Sequence, residues 1–279
     1  MGDRYAFAPM GLPSPAADRT CLVTGASSGI GAEIARELAR RGHGLVLVAR
    51  REDLLRELAS ELSDAHGMRT ETLAVDLLDA DARQAIPGRV ADLGLEVDVL
   101  VNNAGFGTVG TVAKGDAQRD VTLVRLNVET VVSLCSVYVP QMAERRRGAI
   151  LNVASTAAFQ PLPGQAAYAA SKAFVLTYSQ ALHAELAGTG VAVTALCPGP
   201  VDTAFSDSAE ISEAETRTMP KFFWVSPQSV AKAAVDGLAK GRGVVVPGVP
   251  NRLTAVAAQH TPRSILLPMV SRLSPFTKR

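Results

Sequence analysis

Apolar runs of strand length alternate with segments of helical spacing along most of this chain. After the first run, Ile30, Ile34 and Leu38 recur at the spacing that places them on one face of a helix. This alternation is typical of a parallel sheet covered by helices on both faces. The sequence therefore predicts one α/β domain over residues 20–248, built on a doubly wound parallel sheet of seven strands. The seven runs lie at 21–23, 45–48, 72–75, 97–101, 149–153, 191–196 and 243–246.

Two segments depart from this alternation. Residues 1–19 contain three prolines without a continuous apolar core, so we predict a flexible leader rather than a signal peptide. Residues 204–222 are rich in Ser, Asp, Glu and Thr and run into three aromatic residues at 222–224. This composition predicts a lid over a site at 204–224. The alternative is an exposed helix pair whose aromatic residues join the core.

The extension at 249–279 is basic. After Gly237 the chain has seven Lys or Arg residues and no acidic residue, among scattered apolar residues. We expect this tail to fold back on the domain or to dock on a partner subunit. Contact with an anionic membrane surface is the alternative.

Composition and charge argue against several classes of function. The net charge of +1 gives no reason to expect a nucleic-acid partner. Cys21, Cys135 and Cys197 are dispersed in apolar runs, which indicates reduced, buried thiols in a reducing compartment. The four histidines show no ligand spacing, so no metal is expected. No apolar stretch approaches the roughly 20 residues that span a bilayer, and we predict a soluble cytoplasmic protein.

A glycine-rich turn joins the first predicted strand to the first predicted helix. It has the sequence TGASSGIG at 24–31. Glycines let the backbone approach a pyrophosphate, which the helix N-terminus stabilises, so the turn predicts a dinucleotide site in a Rossmann-type domain. Asp76, at the end of the third strand, is placed to bond the adenine amino group or to cap the next helix. Residues 102–105 close the fourth strand beside the expected cofactor path.

The end of the second strand predicts which dinucleotide binds. An NAD site normally has a carboxylate here that accepts hydrogen bonds from the free ribose 2′-hydroxyl. This strand ends instead in Arg50 and Arg51, with no carboxylate before Glu52. Because guanidinium can clamp a 2′-phosphate and stack on adenine, we predict NADPH over NADH, chiefly through Arg50 with Arg51 as a second contributor. The alternative is that both arginines simply begin a solvated helix.

Tyr168 and Lys172 lie four residues apart, which places their side chains on one face of a helix. A neighbouring ammonium favours the phenolate and lowers a phenol pKa that is normally about 10. A tyrosine tuned in this way can exchange a proton with a substrate oxygen near neutral pH. For an isolated pair, an ordinary contact on a helix surface is the alternative.

Together these features resemble the short-chain dehydrogenase/reductase family over nearly the whole of 20–248, and within it the NADP-dependent, ketoreductase-like bacterial branch. Ser155 stands thirteen residues before Tyr168, as is usual in that family. The chain departs from the family pattern at Ala154, where many members have another serine. It also departs at Ser28, where NADP-dependent members often have a basic residue. The matching motifs, in family order, are 24–31, 102–105, Asn127, Ser155, Tyr168 with Lys172, and 198–203.

The resemblance implies a role for each of four catalytic residues. Tyr168 is expected to protonate the carbonyl oxygen as hydride reaches the carbon, and Lys172 to bind the nicotinamide ribose and depress the tyrosine pKa. Ser155 would stabilise the developing alkoxide. Asn127 would hold a water that relays protons to Lys172, with a helix kink or a buried amide as its alternatives. The implied cofactor-binding residues are Thr24, Gly25, Ser27, Ser28, Gly29, Ile30, Gly31, Arg50, Arg51, Asp76, Leu77, Asn103, Ala104, Gly105, Tyr168, Lys172, Pro198, Gly199, Val201 and Thr203.

We therefore predict an NADPH-dependent oxidoreductase that reduces a carbonyl to a secondary alcohol, or catalyses the reverse. The substrate is expected to be apolar, a β-ketoacyl chain or another lipid-like ketone, in a pocket walled by 157–165 and the lid. Apolar helices at 119–143 and 166–187 are expected to form a homodimer or homotetramer, as they do in the family. The alternative function is a catalytically silent dinucleotide-binding sensor or scaffold. Such a protein is expected to lose Tyr168 or Lys172, and this chain retains both.

Overall fold

The computed structural model describes residues 11–202 and 220–273. These residues form a seven-stranded sheet in which every pair is parallel and the order is β3-β2-β1-β4-β5-β6-β7. The predicted α/β class, the parallel pairing and the seven strands are confirmed. The strands are β1 (Arg19–Thr24), β2 (Gly44–Ala49), β3 (Thr70–Ala74), β4 (Glu96–Asn102), β5 (Gly148–Val153), β6 (Val191–Leu196) and β7 (Val244–Val245).

Helices cover both faces of the sheet, and this explains why its central strands are mostly apolar. Every residue of β5 and of β6 is buried. Helices α6 and α7 enclose one core, and α1, α2 and α8 enclose the other. The α-helices are α1 (Gly29–Arg40), α2 (Glu52–His66), α3 (Ala80–Gln84), α4 (Ile86–Asp92), α5 (Ala117–Val124), α6 (Thr130–Glu144), α7 (Ala166–Glu185), α8 (Pro227–Ala239), α9 (Val249–His260) and α10 (Arg263–Leu273).

Helices α5 and α6 form one continuous helix, because a π turn at Arg125–Glu129 joins them. By length and composition this helix is long and apolar enough to cross a membrane. That finding corrects the expectation that no stretch of the chain would qualify. Leu134, Cys135 and Met142 are nevertheless buried in the core that the helix shares with the sheet. We interpret it as a sheet-covering helix of the fold.

Both predicted ends of the domain need correction. Leu12 packs against the core, and a β-carbon on Gly11 would lie 2.4 Å from the carbonyl oxygen of Ala239. The prediction of a flexible leader is therefore wrong for 11–18, and residues 1–10 lie outside the described residues. At the other end the chain continues as α9 and α10, which bury Leu266 among other residues. The expectation that the tail folds back on the domain holds for 249–273.

Candidate active site

The loops that follow β1 and β4 meet where the strand order reverses, which is where open α/β sheets bind ligands. The Asn103 side-chain amide donates to the main-chain oxygens of Thr24 (2.9 Å) and Gly25 (3.1 Å). The Thr24 hydroxyl accepts from the backbone N–H groups of Asn103 (3.0 Å) and Ala104 (3.1 Å). The side chains of Thr24 and Asn103 therefore hold the two loops together. They would support the walls of a cofactor site between these loops.

Glycine is required where the first loop leads into α1. Gly25 has φ 64° and Gly29 has φ 59°, both in the left-handed region. A β-carbon on Gly31 would lie 2.4 Å from the Gly25 carbonyl oxygen, so only glycine lets α1 approach the turn this closely. Ser28, the N-cap of α1, makes no side-chain cap hydrogen bond, which leaves the first N–H groups of the helix to other acceptors. A pyrophosphate anion fits a helix N-terminus of this kind.

Arg51 is the basic residue after β2 that contacts the glycine turn. Its guanidinium donates to the hydroxyls of Ser27 (3.0 Å) and Ser28 (2.9 Å). Arg50, on which the sequence prediction chiefly relied, is exposed one position earlier. Arg51 has an extended backbone (φ −85°, ψ 95°), and its side chain reaches the turn. The structure thus brings Arg51, rather than Arg50, to the glycine turn.

Asp76 and Leu77 follow β3. The exposed Asp76 carboxylate accepts a hydrogen bond from the backbone N–H of Leu78 (3.0 Å). Asp79 caps α3 by accepting from two of its backbone N–H groups, so the alternative interpretation of Asp76 as the cap of that helix is wrong. The Leu77 side chain is buried, which leaves its backbone as the part that a cofactor could contact.

Ser155, Tyr168 and Lys172 come together at the carboxyl end of β5. Ser155 begins the short 3-10 helix Thr156–Phe159 close after that strand. Tyr168 projects from the first turn of α7, and its hydroxyl is hydrogen-bonded to Ser155. One turn later, Lys172 places its Nζ 5.9 Å from the centre of the Tyr168 ring and donates to the main-chain oxygen of Val153 at 2.9 Å. The predicted grouping of these three side chains is present.

Burial sets the proton affinities of this group. It raises the pKa of Tyr168, and the hydrogen bond from Ser155 opposes that shift. The expected lowering of the tyrosine pKa is therefore not found, because burial penalises the phenolate more than the hydrogen bond from Ser155 favours it. Burial also lowers the pKa of Lys172 to about 8. The Tyr168 hydroxyl therefore keeps its proton at neutral pH, as a proton donor must.

Asn127 lies in the π turn between α5 and α6 and is buried. Its Oδ1 accepts from the backbone N–H of Phe106 (3.1 Å), and its Nδ2 donates to the Phe106 oxygen (3.0 Å) and to Ser171 Oγ (3.2 Å). A β-carbon on Gly105 would lie 2.8 Å from that Oδ1 and 3.5 Å from Lys172 Nζ. Protein groups thus occupy both N–H donors of the amide and one of the two acceptor sites of its oxygen. Isolated π turns are frequent at functional sites.

A chain of buried polar residues behind the site was not predicted. Asn102 donates its amide to Asn152 Oδ1 (2.8 Å), and Asn152 donates to Ser179 Oγ (2.9 Å). Asn152 lies on the strand that leads to Ser155, and Ser179 lies two turns beyond Lys172 on α7. These bonds therefore fix the helix against the strand. The sequence signal that could have revealed this chain was a polar residue within each of the apolar segments that form β4, β5 and α7.

Asn251 of α9 holds the proline-glycine turn after β6. A β-carbon on Gly199 would lie 2.4 Å from Asn251 Oδ1. The Asn251 Nδ2 donates to the carbonyl oxygens of Phe223 (2.9 Å) and Pro247 (3.2 Å). Sequence reasoning missed this residue, because a lone asparagine at the start of a basic tail gives no chemical signal.

The remaining predicted residues, which are expected at the nicotinamide end, follow β6. The Pro198 oxygen accepts from the backbone N–H of Thr156 at 2.9 Å, and Val201 packs against the core that includes α1 and α8. Thr203 and the part of the predicted lid at 204–219 lie outside the described residues. The described end of the lid contains a single helical turn, Lys221–Phe223.

Comparison with known proteins finds similarity over most of the chain. The family model of the short chain dehydrogenases matches residues 19–214. An uncharacterized oxidoreductase of Staphylococcus saprophyticus is 33% identical over 221 residues, which cover 79% of this chain and 91% of that protein. A short-chain dehydrogenase from Sphingobium yanoikuyae in complex with NADPH has a TM-score of 0.77 and 34% identity, covering 90% of this chain and 95% of that one. The bulky-bulky ketone specific alcohol dehydrogenase from Comamonas testosteroni has a TM-score of 0.72 and 32% identity, covering 89% and 93%.

Proposed function

Because the chain belongs to the short-chain dehydrogenase family, we propose that it is an NADP(H)-dependent oxidoreductase that reduces a ketone to a secondary alcohol or catalyses the reverse reaction. The observation that carries this proposal is the Tyr168 hydroxyl bonded to Ser155 one helical turn from Lys172. This grouping lies at the same edge of the sheet as the glycine turn. A catalytically silent dinucleotide-binding scaffold would not require this grouping of side chains.

The residues of this chain account for the handling of the proton. The bound dinucleotide supplies or accepts a hydride. Tyr168 donates its hydroxyl proton to the carbonyl oxygen, and the Ser155 hydroxyl donates a hydrogen bond to the same oxygen as negative charge develops there. Lys172, oriented by its bond to β5, then stabilises the phenolate that Tyr168 becomes. Oxidation of an alcohol uses the same groups in reverse.

NADP(H) is the proposed cofactor because the residues fit its charged groups. The uncapped N-terminus of α1 suits the pyrophosphate, and the Arg51 guanidinium at the hydroxyls of the turn suits the 2′-phosphate. The relative from Sphingobium yanoikuyae, at 34% identity, is in complex with NADPH. Lys172 would hydrogen-bond the nicotinamide ribose, and Thr203 would contact the nicotinamide end.

The proposed substrate is an apolar ketone, of the β-ketoacyl or another lipid-like class. Ala157 and Phe159, beside Ser155, are buried apolar residues of the proposed pocket wall, and Phe222 stands 64% exposed at the described end of the lid. The similar protein from Comamonas testosteroni is specific for bulky-bulky ketones. A large, greasy carbonyl compound is therefore the class to test first.

The test is NADPH consumption with a panel of β-ketoacyl thioesters, steroids and small diketones. We expect Tyr168→Phe to keep NADPH binding while turnover falls by about 10²- to 10⁴-fold. Tyr178→Phe, on the same helix, is the matched control and should keep turnover within a few-fold of wild type. Near-wild-type turnover of Tyr168→Phe would contradict the mechanism. NADPH binding without turnover of any ketone would favour the silent scaffold.

We also propose the assembly and location of the enzyme. Val121 and Val124 on α5 and Phe174 on α7 are exposed by 53%, 44% and 43% on two adjacent helices, which suits a homodimer or homotetramer interface. The catalytic domain is proposed to extend beyond 20–248 to the packed segments 11–19 and 249–273, with the lid at 204–224. The three cysteines are buried and free, which accords with a cytoplasmic location.

A further inference from the structure

The outward surface of α9 and α10, the last two helices of the described residues, is apolar at several positions. Val249, Leu253 and Val256 recur at helical spacing on α9, and their side chains are exposed by 63%, 66% and 49%, respectively. On α10, Ile265 and Met269 are exposed by 61% and 47%. We call these five residues the α9–α10 face. Single exposed apolar residues are ordinary on a protein surface, whereas five on two consecutive helices indicate a surface that is covered by a partner.

The charges beside the α9–α10 face have one sign. Arg252, Arg263 and Arg272 are exposed on the same two helices. The chain has no acidic residue after Gly237. A partner that matches this surface therefore combines an apolar part with negative charge.

A basic cleft of about 310 Å³ adjoins the α9–α10 face at the start of α9. Its lining includes Lys240, Arg242 and Arg252, together with β7 and the end of α8. Asp236 is the carboxylate in this lining, and it already pairs with two basic side chains at 2.6 and 2.7 Å. The cleft thus has uncompensated positive charge where an anionic headgroup could sit.

We propose that the α9–α10 face docks on the surface of an anionic lipid bilayer. Its apolar side chains would enter the boundary between headgroups and acyl chains, and the basic cleft would bind lipid phosphate. Interfacial helices bind by this combination of an apolar stripe with flanking basic residues. A second copy of this chain is a poorer occupant, because a two-fold contact would set this arginine-bearing face against itself.

The docked orientation would place the substrate side of the enzyme near lipid. Helix α9 contacts both the 3-10 helix Thr156–Phe159, which follows Ser155, and the described end of the lid, Lys221–Phe223. A ketone dissolved in the bilayer would then have a short path to the site. This consequence rests on the proposed function, whereas docking itself does not.

The test is flotation of the full-length protein with vesicles. One set is pure phosphatidylcholine, and the other contains about one quarter phosphatidylglycerol. We expect wild type to bind the anionic vesicles and not the neutral ones, with weaker binding as salt is raised. Leu253→Asp with Val256→Asp should reduce binding about tenfold or more. The control is Ala65→Asp with Ala91→Asp, which makes the same charge change at exposed positions of α2 and α4 and should bind like wild type.

Several outcomes would overturn the proposal. They are the failure of wild type to bind anionic vesicles, and equal loss of binding in both double variants. A third is a lower mass by light scattering for the Leu253→Asp, Val256→Asp variant than for wild type, if wild type also binds no vesicles. The α9–α10 face would then be a contact between copies of this chain. Retained NADPH binding shows that the variants fold. Tyr168→Phe should float like wild type, so a failure of docking and a failure of the proposed catalysis give different results.

Discussion

At the scale of the single residue, Tyr168 and Lys172 are governed more by burial than by each other. Burial raises the pKa of the phenol and lowers that of the ammonium, so each group is held closer to its neutral form. A protonated phenol is ready to donate when the carbonyl oxygen becomes basic. In the proposed mechanism the ammonium is needed once the phenolate forms, and its main-chain bond to β5 keeps it in place.

The lowered pKa of Lys172 predicts a pH dependence of NADPH binding. Below about 8 the side chain is an ammonium, which in the proposed site would donate to ribose hydroxyls and attract the anionic cofactor; above that pH it becomes neutral. We therefore expect NADPH to bind more weakly as the pH rises through about 8. Fluorescence titration of the free enzyme measures this. Lys172→Met should bind NADPH weakly and without the change in affinity near pH 8. If the variant keeps that change, another group is responsible for it.

Arg51 is expected to set the preference for NADPH over NADH. Loss of a charge-assisted hydrogen bond costs about 1.5–3 kcal/mol, which is roughly 10- to 150-fold in affinity. Arg51→Ala should therefore weaken NADPH binding by about this factor and leave NADH binding nearly unchanged. Arg56→Ala, which removes an exposed arginine paired with Glu52 on α2, is the matched control. A larger effect from Arg50→Ala would return the role to the residue that the sequence suggested.

At the scale of the element, loops and helices that are distant in sequence hold the site. The π turn places Asn127 against the loop after β4, and the buried polar chain fixes α7 against β5. Helix α9, outside the predicted domain, supports the turn after β6 through Asn251. Each support is buried, so its loss should cost more than a surface change would.

Asn251→Ala tests the support from α9. The change leaves the carbonyl oxygens of Phe223 and Pro247 without this donor, and we expect unfolding free energy to fall by about 1–3 kcal/mol. The KM for NADPH should rise as well, because the turn at Gly199 loses its packing. Urea unfolding and steady-state kinetics measure the two effects. Thr254→Ala, an exposed position on the same helix, should change both little; an equal effect there would show that α9 responds as a whole.

At the scale of the whole molecule, the helix Ala117–Glu144 has two different faces. One is buried in the core beneath the sheet, and the other carries Val121 and Val124 exposed. On the adjacent α7, the ring of Phe174 stacks on Tyr178 with centroids 5.7 Å apart. An exposed apolar surface on two packed helices is what a subunit interface requires.

Val121→Asp tests the proposed interface. A carboxylate in an apolar contact cannot be solvated, so we expect association of subunits to weaken by at least about tenfold. Light scattering across a range of protein concentrations measures the change. Ala91→Asp, exposed on α4, is the control and should leave the mass unchanged. An unaltered mass for Val121→Asp would place the interface elsewhere.

The seven strands, their parallel pairing and the glycine turn could be predicted from the sequence, because strand-length apolar runs and glycine positions are local signals. The sequence also identified Ser155, Tyr168 and Lys172, whose spacing is a family pattern. Three features emerge from the folded chain alone. Arg51 rather than Arg50 reaches the turn, burial raises the Tyr168 pKa, and Asn152, Ser179 and Asn251 support the site. These depend on side-chain direction, exclusion of water and contacts between distant segments, which no local pattern specifies.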